Sequence, residues 1–166
     1  MLTNFLLFIN NFFAYFSTML IAALPLLEVK GAIPIGMGLG LSPLTSLCFS
    51  YVGSLIPVPF LLNLLDPLME YINNRPKFSK LSQKLNNYIH KNTQKLKGES
   101  QEVDKPIRAF AVFVFVALPL PGTGVWSGSI VASALKMKKT HAFIAIALAN
   151  FFASVLVFLA TFGFFV

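Results

Sequence analysis

Glu28 and Lys30 interrupt an uncharged N-terminal stretch. Segments 1–27, 31–65, 109–135 and 140–166 hold no Asp, Glu, Lys or Arg, so Glu28 is the one acid and Lys30 the one base set among apolar runs. Ionisable groups in such surroundings are costly and mark proton, ion or substrate paths. A carboxyl there can take up a proton and release it as a cavity alternates. The plainer alternatives are a structural Glu28–Lys30 pair, or a carboxylate that satisfies backbone amides. Gly31 and Pro34 follow on the same stretch. The second constellation is Pro119-Leu120-Pro121-Gly122-Thr123-Gly124. Glycines at 122 and 124 permit a tight bend that exposes amides. Thr123 is expected to cap the helix that follows. Its unpaired N–H groups and positive end attract an anion, which is either a phosphate or carboxylate head group or Glu28 itself. Trp126, the only Trp, is expected deep in the protein, as packing or in contact with an amphipathic substrate. Asn150, polar among apolar neighbours, either hydrogen-bonds to a hairpin or is structural. His90 and His141 lack ligand spacing, so no metal site is expected. No phosphate-binding P-loop, nucleophile–base motif or cofactor fingerprint occurs, so neither catalysis nor a cofactor is expected.

The elements that hold these residues must be membrane helices. The four uncharged runs are 27, 35, 27 and 27 residues long, and about 20 apolar residues suffice to cross a bilayer. Hydrophobic residues make up 56% of the 166-residue chain and charged residues 11%, against about 25% charged in soluble domains. A soluble enzyme, a disulfide scaffold and a disordered tail are excluded. The lone Cys48 permits no internal disulfide and reads as a small buried hydrophobe. The N-terminus lacks the basic start of a cleavable signal peptide, so the first apolar segment is expected to be retained.

Residues 66–108 carry nine of the 13 basic residues and five of the six acids. Phe78, Leu81, Leu85, Tyr88, Ile89 and Leu96 fall mostly three or four apart, with lysines between. This predicts an amphipathic basic helix, opened near Pro76, lying on an anionic leaflet. A docking surface for a soluble partner is the alternative. Gly98 to Lys105 reads as a polar loop, and Pro106 can open the next helix.

Ala23-Leu24-Pro25-Leu26 matches Ala117-Leu118-Pro119-Leu120, 94 residues on. A glycine-rich stretch follows each, then a long apolar helix at about 44–65 and 141–165. About 14 residues separate Pro106 from Pro121, too few to cross at ~1.5 Å per residue. Residues 107–120 are therefore expected to enter the membrane, turn at 121–124 and return through 126–135. The first half is expected to enter through 12–26, turn near 28–31 and return through 34–41. A full crossing by residues 3–25 is the rival. Each half then makes one net crossing, and the halves have opposite orientation, as in inverted-repeat transporters. Twelve of the 13 basic residues fall on one face, with only Lys30 elsewhere, which makes that face cytoplasmic. Pro57 and Pro59 are expected to kink the helix that ends the first half.

Glu28-Val29-Lys30-Gly31-Ala32-Ile33-Pro34 resembles the Glu-x-Arg-Gly-Ala-Ile-Pro signature of the small multidrug export proteins of bacteria and archaea. Pro119-Leu120-Pro121-Gly122-Thr123-Gly124-Val125-Trp126-Ser127-Gly128 resembles their second signature. Lys30 stands where the family usually has Arg, which keeps the charge and loses the bidentate fork. The resemblance extends to the wider DedA or VTT-domain superfamily, with its paired re-entrant hairpins in inverted orientation and members that move lipids such as undecaprenyl phosphate. It implies a bacterial or archaeal cytoplasmic membrane.

The expected fold is an all-α integral membrane protein. It is an inverted repeat of re-entrant helical hairpin plus transmembrane helix, with a central amphipathic basic helix. One membrane domain comprises a first repeat (1–65), a cytoplasmic linker (66–105) and a second repeat (106–166). The expected function is translocation of an amphiphilic, lipid-phosphate-like substrate with proton coupling through Glu28. Proton-coupled drug export and a non-transporting scaffold are the alternatives. Membrane lipids, the substrate and a second copy of the chain are the expected partners, and nucleic acid is not.

Overall fold

The computed structural model describes residues 2–73, 105–119 and 122–165, and among them every regular element is an α-helix. The expected basic amphipathic helix, with Pro76, lies outside these residues, as do Leu120 and Pro121.

Prolines and glycines set the boundaries. Helix α1 (Leu2–Ala23) stops just before Leu24, which Pro25 pushes out of helical geometry. Residues 24–27 make the turn, and α2 (Glu28–Gly38) follows. The turn therefore does not lie at 28–31 as expected. Pro25 breaks the chain earlier, and Glu28 to Gly31 form the first turn of α2. Pro34 does not open a returning arm but sits inside α2. At the end of α2, Gly40 turns left-handed with φ +87°, and Leu41 N–H donates to the Gly36 carbonyl at 3.1 Å. This is a Schellman-type stop. Ser42 then caps α3 (Pro43–Leu55), accepting from Thr45 N–H at 3.3 Å with Pro43 at the first position. Pro57 opens α4 (Pro57–Asn73) after a break at Ile56, so the expected kink falls at that joint. Helix α5 (Lys105–Ala117) holds Pro106 in its first turn and ends two residues before Pro119. Helices α6 (Val125–Ala134) and α7 (Lys139–Phe165) complete the described chain.

The internal repeat reaches down to individual hydrogen bonds. Leu39 N–H to Ile35 and Leu41 N–H to Gly36 in the first half have counterparts in Leu135 to Val131 and Met137 to Ala132. These pairs are 96 positions apart, where the tetrapeptides are 94 apart. The link at 118–124 is three residues longer than that at 24–27 and α6 is one residue shorter than α2, which together give the difference of two. Lys136, at φ +51°, takes the left-handed place that Gly40 holds in the first half.

Close helix contacts fix the arrangement. A Cβ on Gly53 of α3 would come within 2.5 Å of the Met19 carbonyl oxygen of α1. One turn away the Tyr15 and Phe49 rings stack at 4.7 Å. Tyr15 with Phe49 and Met19 with Gly53 show that α1 and α3 run parallel. Helices α3 and α4 run antiparallel to α7. Tyr51 meets Phe151, Ser54 meets Asn150, and Asn63 meets Lys139. The main core joins Val58 and Leu62 of α4, Val112 and Val116 of α5, Val125 of α6 and Ile146 of α7. A smaller core places Val29 and Ile33 of α2 against Ala153 of α7.

Two stretches, Pro43–Leu65 and Lys139–Gly163, are long and apolar enough to cross a membrane, and only 28% and 39% of them is buried. The core helix of a soluble protein would be mostly covered. Phe16, Leu44, Phe60, Phe110, Leu148 and Phe152 all face outward instead, a surface suited to lipid rather than water. Cys48 is exposed on α3 and not buried as expected. It lies one turn from Leu44 and one from Val52, on the outward face of that helix.

Candidate functional site where the ends of α2 and α6 meet

The first turns of the two short helices face each other. Glu28 opens α2 at φ +46° and is only 4% exposed. That left-handed backbone is uncommon for a residue with a side chain. Its carboxylate lies on the N-terminus of α6, where Trp126 N–H donates to Oε1 at 3.3 Å and the Val125 amide also interacts with it. The first amides of a helix have no partner within it, and a carboxylate there also meets the positive end of the dipole. Glu28 thus caps a helix that starts almost a hundred residues later. Gly124 makes room for it. A Cβ there would collide with the Glu28 carboxylate, and φ +145° is a conformation that L side chains rarely adopt.

Lys30 sits on the same turn of α2. Its Nζ donates to the Thr123 carbonyl and approaches Thr123 Oγ1 at 3.4 Å. Thr123 does not cap α6 as expected, because the N-cap is Gly124 without a side-chain bond. The Thr123 hydroxyl turns back and donates to the Leu118 carbonyl at 2.6 Å, closing the link on itself. Trp126 completes the junction. Its indole Nε1–H donates to the Ala23 carbonyl at 3.1 Å, where α1 has run out of amides to pair with. Each half therefore satisfies a backbone group that the other leaves open.

The other candidates are spread around this junction. Gly31 donates its N–H to the Leu27 carbonyl at 2.8 Å, and a Cβ added there would meet the Leu27 side chain at 2.9 Å. Pro34 is half-buried one turn further along α2. Pro119 and Gly122 are exposed in the second link, with Gly122 at φ +82° and open space around it. Asn150 is buried, and its amide donates to Ser54 Oγ at 2.7 Å. That bond reaches a spanning helix and not a hairpin. The neighbouring Tyr51 hydroxyl donates to the Ala147 carbonyl at 3.3 Å. Both pairs are separated by 96 residues, so each joins positions that correspond in the two halves. Ser54 and the Ala23 carbonyl escaped the sequence reading. Ser46, Ser50 and Ser54, four apart on α3, were the available signal for the first.

The arrangement offers an anion-holding helix end, one carboxylate already on it, one ammonium beside it and an indole bridging the halves. Among the described residues no cluster of His, Cys, Asp and Glu could hold a metal ion. No curated protein and no solved structure matches the chain. Residues 28–156 match a protein family, and the match begins at Glu28, just after the first link, and takes in the second link, all of Pro43–Leu65 and most of Lys139–Gly163. The chain belongs to the family described as Putative small multi-drug export protein.

Proposed function

We propose that this membrane protein is a transporter, without catalysis or cofactor, that moves an amphiphilic anion of the lipid-phosphate kind, with Glu28 as its proton-linked gate. One observation carries the reading: the Glu28 carboxylate caps α6 from the other half of the chain. A site that holds a carboxylate on helix amides can hold another anion in its place. Protonated, Glu28 competes weakly for those amides, and the substrate head group takes them, with Lys30 as counter-charge. Deprotonated, Glu28 reclaims them and releases the substrate. The family description itself names drugs as cargo.

The reading includes an inverted repeat of two re-entrant hairpins and a DedA-like architecture. It is supported by the matching cap bonds 96 positions apart and by the antiparallel packing of α3 and α4 on α7. It also assigns the protein to a bacterial or archaeal cytoplasmic membrane.

The test is flux in reconstituted vesicles, with polyprenyl phosphate and a lipophilic drug cation as separate cargoes. Wild type should move the phosphate with a rate that depends on pH. Glu28→Gln should bind it and lose that dependence. Flux of the drug cation alone would replace the anion with a cation as cargo, and flux of neither would favour the scaffold. Flux–pH curves of one shape in both proteins would leave Glu28 as a structural cap only.

A further inference from the structure

Away from the junction, a cavity of about 500 Å³ opens between the start of α5 and the link from α6 to α7. Arg108, Lys136, Lys138 and His141 line it, over Pro106 and Met137. Among the described residues no acid lines it. We propose that this cavity binds the phosphate of an anionic lipid head group, at a site separate from the Glu28 junction and independent of the reading given for that junction.

Three observations carry this. The first is depth. Residues 136–141 sit at the N-terminal end of α7, whose stretch Lys139–Gly163 is one of the two candidate spans. That end meets the head-group layer, where basic pockets between membrane helices hold phosphates. The second is that the fold does not require these charges. At the corresponding positions, 96 earlier, the first half builds the same turn with Gly40 for Lys136, Ser42 for Lys138 and Thr45 for His141. The third is that Lys136 is held at φ +51°, where the other half uses glycine. A lysine in left-handed backbone costs more than glycine, a cost that the first half avoids with Gly40. Met137 and Pro106 add an apolar floor suited to the glycerol and first acyl carbons of a lipid. Arg108 donates one N–H to the Leu135 carbonyl at 3.1 Å, which ties the start of α5 to the end of α6 at the cavity.

The first half supplies the test, because its residues already make this turn. Lys136→Gly with Lys138→Ser copies Gly40 and Ser42 and leaves the backbone unstrained. The full chain is placed in phosphatidylcholine nanodiscs and titrated with phosphatidylglycerol, with bound lipid counted by native mass spectrometry. Wild type should retain phosphatidylglycerol at least fivefold better than the double variant. A charge-matched control restores the net charge of the double variant away from the cavity, with Asp66→Asn and Glu70→Gln added, and should stay as deficient in retention. In a second arm, inorganic phosphate is added in the millimolar range. Competition with the lipid shows that the phosphate is the recognised group, and stabilisation by phosphate equal to that by lipid shows that the source is soluble. Retention within twofold of wild type in the double variant overturns the proposal. So does recovery of retention in the control, which would mean that only the overall charge attracts the lipid.

Discussion

Glu28 combines two unfavourable features, a left-handed backbone and a buried carboxylate. A non-glycine residue in that backbone region costs about 1–3 kcal/mol, and an acid taken out of water needs partners. The α6 amides and nearby Lys30 offset part of this. Gly124 is the residue that lets the carboxylate reach them. Gly124→Ala should push the Glu28 side chain off α6 and strain the backbone at φ +145°, at a cost of about 1–3 kcal/mol. The expected result is an inserted protein with a lower midpoint of thermal unfolding in detergent and no transport. An unchanged midpoint together with wild-type flux would remove the carboxylate–amide contact from the mechanism. Chemistry at this scale was partly legible. An acid amid apolar runs and a Gly-Thr-Gly bend both pointed to the place, but Thr123 was the wrong cap. Local sequence favours a Thr as N-cap, whereas the structure places there the other group weighed for those amides, Glu28 from the first half.

Individual helices owe their limits to local signals, and most of these were readable. Pro25, Pro57, Pro106 and Pro119 each lie within two or three residues of an observed helix end. The misplaced first turn shows the limit of such reading. The stretch from Glu28 to Gly31 was expected to bend by analogy with the glycine-rich turn of the second half, whereas it forms the helix start that presents Glu28. Packing between elements is less legible. Gly53 reads as one glycine in an apolar helix, yet it is where α1 crosses α3 with the Met19 backbone against it. Gly53→Val should force these helices apart and destabilise the protein by about 1–3 kcal/mol, measured as a loss of the folded, monodisperse peak on gel filtration after mild heating. At Gly38 an added Cβ would meet nothing within 4 Å, so Gly38→Ala should be tolerated and serves as the matched control.

At the scale of the whole molecule, charge and repeat act together. The halves share their order of helices and their cap bonds, but the second half carries Lys136, Lys138 and Lys139 where the first has Gly40, Ser42 and Pro43. An asymmetry of basic residues of this kind biases how a membrane protein is oriented. Single cysteines at positions 84 and 138 should both react with an impermeant thiol reagent from the cytoplasmic side only. The background must have Cys48 replaced, since that residue is exposed. Labelling of either site from outside would reject the proposed inverted orientation. What the sequence determined by itself was the class of molecule, the approximate helix limits and the repeat. These follow from apolar run lengths, prolines and a tetrapeptide identity, all of which act over a few turns of chain. Tertiary structure alone decided which residues meet. It set Glu28 on α6, Trp126 on Ala23, Ser54 on Asn150, and Arg108 beside Lys138 around one cavity. Those pairings depend on how the helices cross and on the few extra residues in the second link, and no local pattern encodes a crossing between segments almost a hundred residues apart.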